Sequence, residues 1–195
     1  DVTEALQAGG NAIGFMLGDG WFKGRFGFDG GYEDLYGDQF RLIAECIVTY
    51  EDGTEEIIAS DDTWEVAEGP LVSSSIYDGE VYDANLEIDG WNKYSESESA
   101  VCWERMQLSD TDTEELQARL SVPVKIVDAF VPELIITPAG EQVLDFKQNM
   151  TGWITFSADV PDGTVITYEV GEVLQEDNFY RDNLRTAEAK FTYIS

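Results

Sequence analysis

The sequence alternates apolar and polar residues in short runs, and this period of two constrains the fold more than any other feature. In FRLIAECIVTY at 40–50, every second residue from Phe40 to Tyr50 is apolar. Such spacing places these side chains on one face of a β-strand. EDGT at 51–54 supplies a turn before a second run, EEIIAS, so the pattern predicts a β-hairpin.

Similar apolar runs recur along the chain, and we predict a strand for each of them. They are NAIGFML at 11–17, VKIVDAFV at 124–131, GWITFSA at 152–158 and TVITYEVG at 164–171. Turns rich in Gly and Asp separate the runs. Short strands at this spacing are typical of a β-sandwich or jelly roll.

Helical signals are few. VTEALQ near the start predicts one or two turns, and TDTEELQARL at 111–120 has the capping-box pattern, with Thr111 three residues ahead of Glu114. The second segment follows the Ser- and Glu-rich SESESA. Together they are typical of a connection between two β units, so we place a domain boundary near residue 120.

The chain is strongly acidic. It has 11 basic and 40 acidic residues, for a net charge of −29. This charge repels nucleic-acid phosphates and anionic lipid surfaces, so we expect no nucleic-acid partner and no membrane partner. Solubility is the ordinary reason for such acidity, and calcium binding is the more specific one.

The sequence contains no histidine, which excludes Ser-His-Asp and Cys-His triads and most zinc sites. The two cysteines, Cys46 and Cys102, lack the close spacing of a metal knuckle or redox pair. Because Cys46 lies in an apolar alternation, we predict a buried free thiol, with a single disulfide as the alternative.

Carboxylates and tyrosines are concentrated in IYDGEVYDAN at 76–85. On a strand, Asp78 and Glu80 share one face and Asp83 points to the other. Their spacing of about 7 Å fits the two acids of an inverting glycosidase. Chance pairs are common in a chain with 40 acidic residues, so we assign no catalytic residue.

Sugar binding requires fewer features than catalysis, namely an aromatic surface and a few hydrogen-bond acceptors. Trp21 and Tyr77 provide the aromatic surface, with Asp19, Glu80 and Asp83 as acceptors. These five residues are our candidate carbohydrate-binding set. The competing interpretation is that the aromatic residues belong to the core and the acids to a solvated strand edge.

Several stretches, in collinear order, resemble the bacterial α-L-rhamnosidases, and together they cover most of the chain. GPLVSSSIYDGEVYDA is the most diagnostic of them. The matching stretches are DVTEAL and GGNAIGFMLGDGWFKG near the start, YEDGTEEIIASDDTWEVAEGPLVSSSIYDGEVYDAN at 50–85, PVKIVDAFVPELI at 123–135, VLDFKQNMTGWI at 143–154 and NFYRDNLRTAEAKFTY at 178–193.

The resemblance implies an all-β fold, a jelly-roll-type antiparallel β-sandwich followed by part of a second, concanavalin-like β-sandwich. We expect residues 1–120 to form the first domain and 121–195 the second, with the first cut at its start and the second at its end. In that family, an (α/α) helical barrel carries the acids that hydrolyse terminal α-L-rhamnosides. The chain has too few helical segments for a barrel, so we expect this segment itself to be inactive.

The resemblance also bears on ligands. Some members of the family bind rhamnose through calcium, which here would rest on Asp19 in GDGW. We expect no required cofactor, calcium being the ion that an Asp19 site would hold. The family usually has arginine where this chain has Asn85, and glycine where it has Lys147. The first difference puts in doubt an ion pair with Glu80 or Asp83.

The leading hypothesis is a non-catalytic accessory segment of an α-L-rhamnosidase, which recognises rhamnose-containing glycans or packs on the catalytic barrel of the same polypeptide. The alternative is a freestanding carbohydrate-binding or adhesive surface module of a bacterium. A third hypothesis is hydrolysis by Asp78 and Glu80 themselves. The glycan linkage, the oligomeric state and the compartment, cytoplasmic or secreted, stay open.

Overall fold

The computed structural model describes residues 1–27, 29–95, 101–109, 116 and 120–195. Within these residues the chain forms β-strands and three short 3₁₀ helices, with no α-helix. The 3₁₀ helices are Thr3–Ala5, Ala84–Leu86 and Asp182–Leu184. The strands are β1 Arg25–Phe26, β2 Tyr32–Glu33, β3 Glu45–Thr49, β4 Glu55–Ala59, β5 Glu65–Val66, β6 Leu71–Ser75, β7 Gly79–Asp83, β8 Glu104–Arg105, β9 Glu133–Ile136, β10 Gln142–Asp145, β11 Val165–Glu169, β12 Val173–Gln175, β13 Asn178–Tyr180 and β14 Lys190–Ile194.

The prediction of an all-β chain is confirmed. The first segment predicted as helical, VTEALQ, contains the first 3₁₀ helix. Most of the second, 111–120, lies outside the described residues. In the described part of the chain, no helix is long and apolar enough to cross a membrane.

The largest sheet has four strands in the order β11-β14-β7-β6. Strand β7 pairs antiparallel with β6 and parallel with β14, and β14 pairs antiparallel with β11. Strands about 110 residues apart in sequence, β7 and β14, are therefore neighbours in one sheet. Since IYDGEVYDAN supplies β7, the stretch richest in acids and tyrosines lies in the interior of this sheet.

One face of this sheet carries a block of aromatic rings, because residues paired across strands share a face. Tyr82 stacks on Tyr193 with centroids 5.9 Å apart, and Tyr168 stacks on Phe191 at 4.9 Å. We call these four residues the aromatic face. Pairing puts the Glu80 side chain on it as well, opposite Ser74 on one side and Phe191 on the other.

Gly79 begins β7 in a conformation that only glycine adopts without strain. Its φ is +93°, and a Cβ at this position would overlap the carbonyl oxygen of Lys190 on β14. The close approach of the two strands explains the glycine in IYDGEVYDAN. A side chain here would separate β7 from β14.

The other strands form two-stranded antiparallel pairs. In β3–β4, Cys46 pairs with Ile58 and Val48 with Glu56, and the intervening turn closes through the Tyr50 N–H donating to Thr54 O at 2.9 Å. The hairpin predicted over 40–60 is thus confirmed, with its ladder beginning at Glu45. The remaining pairs are β1–β2, β5–β8, β9–β10 and β12–β13.

Three of the predicted strands are wrong. Residues 11–17, 124–131 and 152–158 pair with no strand of the described chain, whereas the run at 164–171 forms β11. An apolar run becomes a strand only where a neighbouring backbone satisfies its N–H and C=O groups. The sequence pattern shows the amphipathicity of a segment but not whether a neighbour exists.

Burial is shallow throughout. Among the described residues, no large apolar side chain is fully buried, and Thr137, at 5% exposure, is a polar exception. Cys46 is a free thiol as predicted, but it is half-buried rather than buried, because its two-stranded hairpin offers little cover.

The chain divides into two compact units. Unit 1 comprises residues 1–108, 160–169 and 186–195, and unit 2 comprises 109–159 and 170–185. Unit 1 contains the four-stranded sheet, and unit 2 contains β9–β10 and β12–β13. The boundary near residue 120 stays a prediction.

Candidate functional site

The loop that contains Asp19 is anchored on the four-stranded sheet of unit 1. The Asp19 N–H donates to Ser74 Oγ at 2.6 Å, and Ser74 is the cross-strand neighbour of Glu80. Gly18 packs against Ser74 as well, with no room for a side chain. The sequence-predicted residues Asp19 and Glu80 therefore lie on either side of one serine.

The Asp19 carboxylate has a cationic partner four residues along the chain. Lys23 Nζ donates to Asp19 Oδ1 at 2.7 Å, with both side chains about one-quarter exposed. This hydrogen bond raises the pKa of Lys23 against the opposing effect of burial, with further support from Asp34 and Glu33. A charged donor and a charged acceptor are thus fixed side by side.

Trp21 projects from this loop with 65% of its surface exposed. Its ring meets Phe26 edge to face, with centroids 5.2 Å apart, and Phe26 lies 6.5 Å from Tyr36. We call Trp21, Phe26 and Tyr36 the Trp21 cluster. An indole that is held by its neighbours and still exposed can stack on the C–H face of a sugar ring.

Arg25 and Asp78 form the best-defined ion pair of unit 1. Arg25 Nε donates to Asp78 Oδ2 at 2.8 Å and Arg25 Nη2 donates to Asp78 Oδ1 at 2.5 Å. Asp78 also accepts from Ser75 Oγ at 3.2 Å and from the Glu188 N–H at 3.1 Å. The guanidinium stands over the Tyr77 ring, 4.8 Å from its centroid.

These bonds determine what Asp78 can do chemically. The hydrogen bonds from Arg25 hold the pKa of Asp78 below its ordinary value, and those from Glu188 and Ser75 act in the same direction, against burial. A general acid needs a raised pKa and an available proton. Asp78 has the opposite character, which argues against the Asp78–Glu80 pair as glycosidase acids.

Tyr77 lies beneath Arg25 and reaches the same loop, because the Gly27 N–H donates to Tyr77 Oη at 3.4 Å. Its ring face is therefore occupied by a cation. Among the predicted aromatic residues, Trp21 is the exposed one and Tyr77 is half-buried.

Asp83 is separated from the others by its orientation. Adjacent residues of a strand alternate faces, so Glu80 and Asp83 point to opposite sides of the sheet. Asp83 caps the 3₁₀ helix Ala84–Leu86, accepting from the Asn85 N–H at 3.0 Å and from Asn85 Nδ2 at 2.9 Å. Asn85 thus makes a neutral contact with Asp83 where an arginine would make an ion pair.

Tyr82, on the aromatic face, donates from its hydroxyl to Glu87 Oε1 at 2.8 Å. Burial, followed by this bond to a carboxylate, raises the pKa of Tyr82 to about 12. The tyrosine stays neutral at physiological pH, and its ring and hydroxyl are fixed. The aromatic face therefore packs along β7 through the stacked ring of Tyr82.

The arrangement offers little to a metal ion. No group of three or more His, Cys, Asp or Glu side chains converges in the described part of the chain. Calcium takes six to eight oxygen ligands, whereas Asp19 would supply one carboxylate that Lys23 already holds. The residues around Asp19 do not fit a calcium site by themselves.

Sequence reasoning missed four residues that shape this site: Lys23, Arg25, Phe26 and Tyr36. Asp19 and Lys23 are only four residues apart, but they lie in a loop, where this spacing does not by itself predict an ion pair. Arg25 and Asp78 are 53 residues apart, so nothing local in the sequence connects them.

Comparison with known proteins identifies the class of this all-β chain. A model described as the α-L-rhamnosidase N-terminal domain matches residues 1–128, and a model described as the bacterial α-L-rhamnosidase concanavalin-like domain matches residues 135–195. The chain is thus a β-domain segment of a glycoside hydrolase. It belongs to the α-L-rhamnosidase family and corresponds to its N-terminal region.

Individual relatives agree. An α-L-rhamnosidase of Streptomyces avermitilis is 35% identical over 99% of this chain and 19% of its own length. One from Formosa agariphila is 33% identical over the whole chain and 21% of its own length. The chain spans about one-fifth of the length of these relatives.

Solved structures show the same fold. The crystal structure of native α-L-rhamnosidase from Aspergillus terreus matches with a TM-score of 0.81 and 33% identity, over 91% of this chain and 20% of that one. The Streptomyces avermitilis α-L-rhamnosidase complexed with L-rhamnose matches with a TM-score of 0.76 and 33% identity, over 90% of this chain and 17% of that one.

Proposed function

We propose that this segment recognises rhamnose-containing glycans for an α-L-rhamnosidase and that the Trp21 cluster is its sugar-binding surface. The observation that carries the proposal is the 65% exposure of Trp21, combined with its edge-to-face contact with Phe26. An apolar ring of this size is left in water at a cost, which a stacked sugar ring would offset.

The polar groups beside Trp21 support the proposal. A sugar hydroxyl both donates and accepts hydrogen bonds, and the Asp19–Lys23 pair presents an acceptor and a donor two residues to either side of Trp21. Glu80 is exposed beyond Ser74 and could accept from a second hydroxyl. The activity of the whole enzyme, hydrolysis of terminal α-L-rhamnosides, belongs in this proposal to the catalytic domain.

Calorimetric titration of L-rhamnose into the 195-residue chain tests the proposal. Trp153 is a matched control, because it is 67% exposed and lies in unit 2. We expect Trp21→Ala to weaken binding about tenfold or more, a loss near 1.4 kcal/mol, since it removes the stacking surface. Trp153→Ala should bind as the parent chain does.

Equal binding by the Trp21→Ala variant would refute the Trp21 surface, and the absence of heat from the parent chain would refute rhamnose recognition itself. Repeating the titration with calcium and then with a chelator tests the Asp19 calcium site. We expect the same affinity under both conditions, because Lys23 already neutralises Asp19.

Packing on the catalytic barrel of the same polypeptide is the second candidate role. It is favoured by the apolar segment 122–131, in which Val124, Val127 and Val131 are 83%, 95% and 96% exposed. Hydrogen exchange of this segment, compared between the 195-residue chain and the longer polypeptide, tests it. Slower exchange in the longer polypeptide supports the packing, and equal exchange refutes it.

The coding sequence after Ser195 discriminates both roles from the freestanding module. A helical barrel encoded there supports an accessory segment of the enzyme. A stop codon or a cell-wall anchor supports a carbohydrate-binding or adhesive surface module.

A further inference from the structure

We infer that the Trp21 cluster binds neutral saccharides in preference to uronic acids and sulfated sugars. The inference rests on the proposed function above and specifies the class of sugar. It depends on the charges in residues 19–41, the segment that carries all three aromatic members of the cluster.

Acidic residues outnumber basic residues in this segment. There are five of the former and three of the latter: Asp19, Asp29, Glu33, Asp34 and Asp38 against Lys23, Arg25 and Arg41. The chain as a whole has a net charge of −29, so its long-range field has the same sign as this segment. A carboxylate or sulfate on a ligand would therefore approach a negative region.

Each of the three cations is already engaged. Lys23 binds Asp19 at 2.7 Å and stands 4.7 Å from the centroid of the Phe40 ring. Arg25 is bound to Asp78 by two hydrogen bonds, and its side chain is only 10% exposed. Recruiting either cation for an anionic ligand would break an existing ion pair.

Arg41 is the third cation, and its guanidinium stands over the Phe22 ring, 5.4 Å from the centroid. This cation–π contact engages the Arg41 charge as well. The preference thus depends on the balance of charges rather than on the absence of any cation. That balance can be altered by mutation and by salt.

The carboxylates around Lys23 have two consequences for a ligand. Asp19, Asp34 and Glu33 all act on the Lys23 ammonium. An ionised carboxylate only accepts hydrogen bonds, so it suits the hydroxyl donors of a neutral sugar. The same oxygens repel a uronate, and this repulsion weakens when salt shortens the screening length to about 8 Å or less.

The test compares two ligands that differ in one group. Calorimetry measures the binding of a rhamnosyl-glucose disaccharide and of the matching rhamnosyl-glucuronate, in 20 mM and in 300 mM NaCl. At low salt, we expect the uronate to bind about threefold more weakly, from a net two negative charges acting through water at about 10 Å, because Lys23 offsets one of the three carboxylates. At high salt, the difference should fall below about twofold.

Glu33→Gln removes one of the repelling charges from an exposed position on β2. At low salt, this variant should reduce the difference in binding free energy between the two disaccharides by about one-third to one-half. The matched control is Glu176→Gln, which changes the net charge equally but lies in unit 2. It should leave the difference unchanged.

The outcomes separate this inference from the proposed function. Uronate binding as tight as that of the neutral disaccharide, lost in the Trp21→Ala variant, would leave the sugar-binding surface standing and overturn the charge selection. A difference in affinity between the two disaccharides that changes neither with salt nor in the Glu33→Gln variant would also overturn the charge selection. Failure of the neutral disaccharide to bind, or binding that survives Trp21→Ala, would overturn both.

Discussion

Arg25 in unit 1 and Lys147 in unit 2 each neutralise carboxylates, but the two ion pairs differ in geometry and exposure. Arg25 makes two parallel hydrogen bonds to Asp78 and is 10% exposed. Lys147 is 60% exposed and reaches Glu133 at 2.9 Å and Asp145 at 3.0 Å through one ammonium group. The Arg25 pair joins β1 to the turn between β6 and β7, which is distant in sequence, whereas the Lys147 pair closes a local hairpin.

The comparison indicates that an ion pair contributes to stability here when it fixes the position of its carboxylate. A bidentate guanidinium fixes both the distance and the plane of its carboxylate, and its burial limits competition from water. An exposed ammonium fixes neither, and salt screens it. We therefore expect stability in unit 1 to depend on Arg25–Asp78 and stability in unit 2 to be indifferent to the charges of Lys147.

Asp78→Asn should produce the largest effect on stability. The substitution keeps the shape of the side chain but removes the charge that binds Arg25, leaving a poorly exposed cation with weaker partners. We expect a loss of about 2 kcal/mol in the free energy of unfolding. Urea denaturation followed by tryptophan fluorescence measures it, since four of the five tryptophans lie in unit 1.

Arg25→Lys sharpens the same test, because a lysine keeps the charge and loses the second hydrogen bond. We expect it to lose at least half as much stability as Asp78→Asn. Glu133→Gln is the matched control, as it removes a carboxylate that is 65% exposed. A similar loss in this control would contradict the distinction between the two ion pairs.

The pH dependence of stability gives a second, smaller difference. The pKa of Asp78 is lowered in the folded chain, chiefly by the hydrogen bonds from Arg25. A lowered folded pKa contributes stability above the unfolded value, near 3.9, and this contribution is lost as the pH falls through the folded pKa. Below about pH 4, we expect the parent chain to lose stability faster than Asp78→Asn.

Other carboxylates, among them Asp52 and Asp61, also have lowered pKa values, so the informative quantity is the difference between parent and variant. This difference should be constant from pH 6 to pH 8 and shrink towards pH 2. A difference that stays constant throughout the acid range would mean that the Asp78 charge contributes nothing to stability.

Local patterns predicted part of this fold. The alternation of 40–50 and the turn at 51–54 specify β3 and β4. The two strands of a hairpin are adjacent in sequence, and the turn between them fixes their register. The parallel pairing of β7 with β14 joins Gly79 to Lys190, and no local signal carries that information. For the same reason, the runs at 11–17 and 124–131 were wrongly predicted as strands.

The residues of the candidate site also divide into those with a local sequence signal and those whose roles depend on distant partners. Trp21 and Asp19 could be proposed from the sequence, because an aromatic residue beside an acid in a glycine-rich turn is a local feature. The roles of Asp78 and Asp83 could not, since Arg25 binds the first from a distant strand and the second caps a 3₁₀ helix. Whether an acid is available to a ligand depends on such partners.

Lys147→Gly should change stability the least of these variants, and it should raise stability rather than lower it. Lys147 has φ +65°, a left-handed conformation that strains any residue with a Cβ. Glycine removes the strain and with it two exposed ion pairs that contribute little. We expect Tm to rise by about 2 °C, measured by differential scanning calorimetry.

Lys147→Ala separates the two contributions, because it removes the ammonium and keeps the Cβ. If the strained backbone dominates, the alanine variant melts at or slightly below the parent temperature and only the glycine variant melts above it. If the ion pairs with Glu133 and Asp145 dominate, both variants melt below the parent chain. The second result would place the Lys147 pair beside Arg25–Asp78 in importance and remove the contrast between them.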